Sequence, residues 1–209
     1  MDWLKHIYAL FDDSISGTFL PGDYRQANKA TTVLDTGLPP TNSTLGEVVK
    51  GDQSIALAFR LEKSSQHFGA SNDPIKFHFL RAALMTKHVL PGSVLLWQIC
   101  PETTKPNEQG VPNTTSCIAS DFFPVPPQSA TRSFVWATWK PANVVEIKAN
   151  QTYWVVLSSD AKRDEDALIW IDSDKGSDPW GTAFSNEDNK WIRDRDGSLS
   201  VPSIRILLH

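Results

Sequence analysis

The shortness of its apolar runs constrains the fold of this chain more than any other feature. Nearly every run is rich in β-branched or aromatic residues and is bounded by proline, glycine, asparagine or aspartate. This pattern is typical of strands separated by turns. We predict strands at 30–35, 54–61, 75–85, 93–99, 118–123, 132–139, 144–148, 152–158, 168–172, 182–185, 190–193 and 203–208. Such a series predicts an all-β fold, an antiparallel β-sandwich of jelly-roll type.

The chain shows no internal repeat, low-complexity tract or break in composition along its 209 residues. All-β sandwiches of about this size are often single domains, so we expect one domain spanning 1–209. Near the N-terminus, Leu4, Ile7, Tyr8 and Phe11 have the spacing of one helix face. We therefore predict a short helix there, within a peripheral segment at 1–25.

Charge and hydropathy exclude two classes of partner. Lysine and arginine number 20 against 24 aspartates and glutamates, for a net charge of -4. That balance lacks the basic footprint of a nucleic-acid-binding protein, so we expect no nucleic acid. No apolar run approaches the roughly 18 residues of a membrane helix, so we expect no membrane span. His6 and Asp12 interrupt the apolar N-terminal patch, and no signal peptide is visible.

Two cysteines and three sequons bear on the cellular compartment. Cys100 and Cys117 bracket a loop of proline, glycine, asparagine and threonine that is able to form little core of its own. A disulfide is geometrically plausible there, and two buried reduced thiols are the alternative. The N-x-[ST] sequons at Asn42, Asn113 and Asn150 all lie in turn-like polar surroundings, as glycan acceptors do. Together these features favour an extracellular or cell-surface protein.

The C-terminal third contains NQTYWVVLSSD, then IWID, GTAFSNEDNKW and SIRILL. This layout resembles the choice-of-anchor domains of bacterial surface proteins, and the resemblance covers about 75–207. It implies a secreted β-sandwich for surface display and suggests no catalytic residues. The segment 186–189 replaces the Asp-Gly-Gly turn of that pattern, and no sorting tail follows His209, so the resemblance gives no argument for covalent anchoring.

An acidic loop follows the strand predicted at 168–172. Asp172, Asp174 and Asp178, with a glycine at 176, approximate the alternating oxygen donors of a calcium site. Ala183 stands where an EF-hand requires a bidentate glutamate, which excludes an EF-hand. A looser calcium site remains open, and the alternative is a solvated turn whose aspartates cap backbone amides.

Strand parity predicts which side chains share a face. Alternation places Phe77 and Phe79 on one face of their strand and Leu80 on the other. Trp136 and Trp139 have opposite parity, so we expect one of them to be exposed. The remaining strand tryptophans are expected to fill the core: Trp97, Trp154 and Trp170.

Loop tryptophans surrounded by polar residues suggest sugar recognition. Trp180, Trp191, Asn186 and Asp188 combine aromatic rings, which pack on sugar C–H groups, with groups that bind hydroxyls. The alternative is that these tryptophans only cover the ends of the core.

No nucleophile, zinc-protease or nucleotide-binding motif occurs. Carboxylate pairs such as Asp164 with Asp166, or Asp172 with Asp188, leave a polysaccharide hydrolase as a third hypothesis. We expect an extracellular or surface binding module whose partner is a glycan or cell-surface component. The main alternative is a self-associating structural subunit of a coat or filament.

Overall fold

The computed structural model describes residues 31–62, 75–105, 110–129, 133–174, 179–186, 188, 190–194 and 200–208. These residues all belong to one compact unit, Thr31–His209. The helix and peripheral segment predicted at 1–25 lie outside the described residues. No helix in the described part of the chain is long and apolar enough to cross a membrane.

The described chain forms a series of short strands. They are β1 (Thr31–Asp35), β2 (Gly46–Val49), β3 (Ile55–Arg60), β4 (Ile75–Met85), β5 (Val94–Pro101), β6 (Ala119–Pro124), β7 (Val135–Trp139), β8 (Glu146–Ile147), β9 (Thr152–Ser159), β10 (Leu168–Ile171), β11 (Gly181–Ser185), β12 (Trp191–Arg193) and β13 (Ile204–Leu208). Single 3-10 turns lie at Thr114–Ser116 and Asp164–Asp166. Every predicted strand corresponds to an observed one, and among the described residues only β2 was missed.

These strands build two antiparallel sheets that pack together, which confirms the β-sandwich. One sheet has the order β1-β13-β4-β10-β2, and β7 and β8 also pair with the long strand β4. The other has the order β12-β11-β3-β9-β5-β6. The jelly-roll topology stays a prediction.

Tryptophans fill the centre of the sandwich. The ring of Trp97 stacks on Trp139, with centroids 6.2 Å apart, and meets the edge of Trp170 at 5.8 Å. Both partners donate their indole N–H groups: Trp139 to Oδ2 of Asp121 at 2.8 Å, and Trp170 to the carbonyl of Ser203 at 3.0 Å. These bonds allow the indoles to be fully buried without an unsatisfied donor.

The opposite parity predicted for Trp136 and Trp139 is observed, although neither side chain is fully exposed. Trp139 is fully buried, whereas Trp136 is half-buried on the outer face of its sheet. There the guanidinium of Arg81 lies 4.6 Å from the centroid of the Trp136 ring. Burial, and next the charge of Arg205, lower the pKa of Arg81 from its ordinary value.

The alternation predicted for β4 is wrong at one place. Phe77 and Leu80 both lie in the core, although they are three residues apart, and Phe79 is less buried. The pairing of β4 with β13 shifts between Leu207 and Leu208. An extra residue in a ladder reverses side-chain parity, so the two phenylalanines do not share a face.

Candidate binding face

The outer face of the six-stranded sheet carries one row of side chains that crosses every strand. Strand register and serine hydrogen bonds define the row, which reads from β12 to β6 as Trp191, Ser185, Ser54, Ser158, Leu96 and Phe122. Strands lie about 4.8 Å apart, so the row is about 24 Å long. We call it the serine row, because an aromatic ring stands at each end and three hydroxyls lie between them.

The serine row lines an open depression of about 320 Å³, together with Gln98 and Thr114. The hydroxyls of Ser54 and Ser158 are 2.6 Å apart, and the hydroxyl of Ser185 accepts the Ser54 amide at 2.8 Å. These bonds hold the hydroxyl oxygens in place; Ser54 and Ser185 are buried, and Ser158 is half-buried. Each oxygen has two acceptor positions as well as its own donor, so capacity for a ligand remains.

The rings at the two ends differ in exposure. Phe122 is 73% exposed, whereas Trp191 is half-buried and packs against the apolar cluster beneath it. Aromatic faces pack on apolar ligand surface, and neighbouring hydroxyl and amide groups fix its orientation. The face is therefore suited to a neutral, hydroxyl-rich ligand longer than one small ring.

A disulfide between Cys100 and Cys117 holds the loop that packs on part of this face. The predicted pairing is confirmed, and the reduced-thiol alternative is wrong. Val111 of the loop is buried against Trp154, and Thr114 of the same loop lines the depression. Trp154 is thus fully buried as predicted, but in a second cluster on the outer face rather than between the sheets.

The β11–β12 hairpin brings together three of the four predicted ligand residues. Asn186 and Asp188 line a second depression of about 430 Å³, and Ser185 borders both this depression and the first. Trp191 pairs directly with Ser185 across the hairpin. Oδ1 of Asn186 accepts the Lys190 amide at 2.9 Å, which closes the turn. Asn186 therefore has a structural role as well as a place beside the depression.

The structure does not bring Trp180 to this group. It precedes β11, whereas Asn186 follows it, and six residues of extended chain span about 20 Å. The Trp180 ring is 46% exposed, and the guanidinium of Arg60 lies 5.0 Å from its centroid. Trp180 thus belongs to a different part of the outer face.

The predicted metal loop is described only in part, because Asp178 lies outside the described residues. Asp172 is half-buried beside the β10 edge, and its Oδ1 has no hydrogen-bond partner in the described part of the chain. Burial, and next the charge of Asp172, raise the pKa of Glu47. Asp174 is exposed. The described residues contain no group of three or more histidines, cysteines, aspartates or glutamates arranged for a metal, and the calcium site stays a prediction.

The three sequons differ in their surroundings. Asn42 and Asn150 are exposed and have positive φ angles of 61° and 59°. Asn113 is half-buried before the 3-10 turn at Thr114–Ser116, and its Oδ1 accepts the Thr115 hydroxyl at 2.8 Å. Exposure suits Asn42 and Asn150 to modification, and glycosylation stays a prediction at all three.

The carboxylate pair Asp164–Asp166 is held in ion pairs. Lys50 lies 2.9 Å from Asp164, and Arg163 lies 2.7 Å from Asp166. Asp172 and Asp188 follow strands of different sheets. Neither of the two predicted pairs therefore supports the hydrolase hypothesis: the first is held in ion pairs, and the second is divided between the sheets.

Sequence reasoning missed Phe122 and the three serines of the row. A signal was present in β3 and the residue before it, where Ser54, Ala56 and Ala58 alternate with large apolar side chains. Small residues at every second position indicate a face that another segment or a ligand approaches closely. Only the register between strands distant in sequence shows that these positions form one row.

Comparison with known proteins adds no relative to this description. No protein-family model matches the chain, and no curated protein is significantly similar to it. The resemblance to choice-of-anchor domains is neither supported nor contradicted.

Proposed function

We propose that this protein is an extracellular or cell-surface module that binds glycans through the serine row. The observation that carries the proposal is the row itself, with rings at both ends and ordered hydroxyls between them. Its combination of apolar faces and neutral polar groups matches the alternating C–H and hydroxyl surfaces of a sugar chain.

The environment of Phe122 supports this role. A phenyl ring with 73% exposure contributes little to the core of its own domain. Exposed apolar surface rimmed by polar groups often marks a binding site. The disulfide also agrees with an oxidising compartment, where such bonds persist.

A glycan array tests the proposal with four proteins: the wild type, Trp191→Ala, Phe122→Ala and Leu45→Ala. Leu45 is the matched control, because it is also 73% exposed but precedes β2 at the edge of the other sheet. We expect wild type and Leu45→Ala to bind the same glycans. Loss of one stacking ring should weaken binding by about two- to tenfold, since such contacts contribute about 0.5–1.5 kcal/mol beyond their area burial.

The two ring variants separate binding from folding. Trp191 packs against a buried cluster, so its loss affects stability as well, whereas Phe122→Ala should unfold at the wild-type temperature. Unchanged binding by a folded Phe122→Ala protein contradicts the assignment of the row. An array without any binding contradicts the glycan proposal.

A structural subunit is the second candidate, and one edge of the fold favours it. Leu38 and Leu45 are both exposed, and their carbonyls accept the amides of Asp174 and Asp172 beside the edge strand β2. An exposed apolar sheet edge is prone to self-association. Light scattering of wild type and a Leu38→Asp, Leu45→Asp variant tests it: concentration-dependent assembly should occur only in the wild type.

A further inference from the structure

Two arginines converge on Trp180 on the same outer face as the serine row. Arg193 pairs with Ala183 on β11, so it lies two residues from Trp191 along β12, about 7 Å away on the same face. Arg60 ends β3 and stacks its guanidinium on the Trp180 ring at 5.0 Å. We call Arg60, Trp180 and Arg193 the arginine cluster.

Two glycines make room for the guanidinium of Arg193. A Cβ atom on Gly110 would lie 2.3 Å from its Nη1 atom, and one on Gly181 would lie 3.2 Å from its Nη2 atom. Nη2 donates to the carbonyl of Trp180 at 3.1 Å. Any larger residue at Gly110 would therefore force the guanidinium to move, so the local sequence accommodates the charge beside Trp180.

Neither arginine of the cluster has an acidic partner in the described part of the chain. The ion pairs among the described residues involve Lys50, Arg163 and Arg205 instead. Nε of Arg60 is buried without a hydrogen-bond partner among the described residues. Nε itself is enclosed, so a ligand would meet the Arg60 guanidinium through its other N–H groups, which have no acidic partner among the described residues.

The row of paired residues that contains Arg60 also contains one acidic residue, Glu102. Glu102 donates its amide to the carbonyl of Thr152, and Thr152 pairs with Arg60. Glu102 thus lies two strands from Arg60, about 10 Å across the sheet. Thr152 occupies the intervening strand on the same face, so Glu102 does not pair directly with Arg60.

We propose that the arginine cluster binds the carboxylate or sulfate group of an acidic glycan whose sugar chain lies on the serine row. Guanidinium groups bind such planar or tetrahedral oxyanions through paired N–H donors. The exposed part of the Trp180 ring supplies a surface for the sugar that bears the anion. This inference rests on the proposed glycan binding and adds its substrate class.

Matched ligand pairs test the charge requirement directly. Oligogalacturonate is compared with its methyl ester, which tests recognition of the carboxylate group. Heparin oligosaccharides are compared with their desulfated forms, which tests recognition of the sulfate group. We expect wild type to bind at least one acidic member about tenfold or more tightly than its uncharged partner, and added salt to reduce the difference.

Variants locate the effect. Arg60→Met and Arg193→Met should each weaken binding of the acidic ligand about tenfold. Binding of its uncharged partner should stay unchanged. Arg163→Met is the control, since Arg163 is an exposed arginine already paired with Glu165 and Asp166. Arg60→Lys keeps the positive charge but lacks the planar guanidinium, so its affinity for the acidic ligand should lie between those of wild type and Arg60→Met. Thermal melts exclude any variant that does not fold.

The outcomes separate this inference from the proposed function. Equal binding of charged and uncharged partners, lost in Phe122→Ala but not in the arginine variants, overturns the inference and leaves glycan binding in place. An acidic preference that Arg163→Met reduces as much as Arg60→Met also overturns it. Failure to bind any glycan contradicts the proposed function, and titration with sodium sulfate, followed by tryptophan fluorescence, then tests the anion site alone. A sulfate-dependent change in wild type that Arg60→Met lacks supports the anion site, and the absence of that change in wild type overturns it.

Discussion

Removal of the Cys100–Cys117 disulfide should destabilise the fold by about 3 kcal/mol. The bond joins residues separated by 17 positions. The chain-entropy relation for a closed loop of that length gives about 3 kcal/mol at 25 °C. For a domain of this size, such a loss lowers the unfolding temperature by about 6–12 °C.

The assay is urea unfolding of wild type and the Cys100→Ala, Cys117→Ala double variant, followed by tryptophan fluorescence. Wild type treated with a reducing agent should match the double variant. The loss should be accompanied by faster amide exchange around Val111, because the loop packs on Trp154. A difference below about 1 kcal/mol contradicts the reasoning, since the loop would then be held by its packing alone.

Three further perturbations test other parts of the structure. Gly46→Ala should destabilise the β2 edge by roughly 1–3 kcal/mol in urea unfolding, because its Cβ would lie 2.2 Å from the Trp170 carbonyl; an unchanged midpoint contradicts this packing. In wild type, the free energy of unfolding should fall as pH rises above about 4.5, and Glu47→Gln should reduce that fall. Burial raises the Glu47 pKa in the folded state, so ionisation destabilises that state, and identical pH profiles of unfolding contradict the assignment. EDTA should lower the melting temperature if the acidic loop at Asp172 and Asp174 binds calcium, and an unchanged melting curve removes the calcium prediction.

The fold was predictable because most strands have a strong local signal. β4 was predicted with its observed bounds, since its eleven residues are rich in aromatic and apolar side chains. β2 was missed because GEVV is only four residues long and follows a loop without clear alternation. Its formation depends on pairing with β10, which is tertiary context that the local sequence does not contain.

The binding face was predictable only in part. Trp191, Asn186 and Asp188 share one hairpin, so their proximity follows from local sequence. Phe122 and Ser158 reach the same row through the pairing of β5 with both β6 and β9. That register is set by the packing of the whole sheet, so short-range spacing did not predict it.

The most direct test of the account is chemical-shift mapping of a bound glycan on the isotopically labelled protein. An oligosaccharide selected from the array is titrated while backbone amide signals are followed. We expect the largest shifts along the serine row, at Ser54, Ser158, Ser185 and Phe122, and little change on the outer face of the other sheet around Trp136. Shifts confined to that other face, or to the β2 edge, would contradict glycan binding through the serine row.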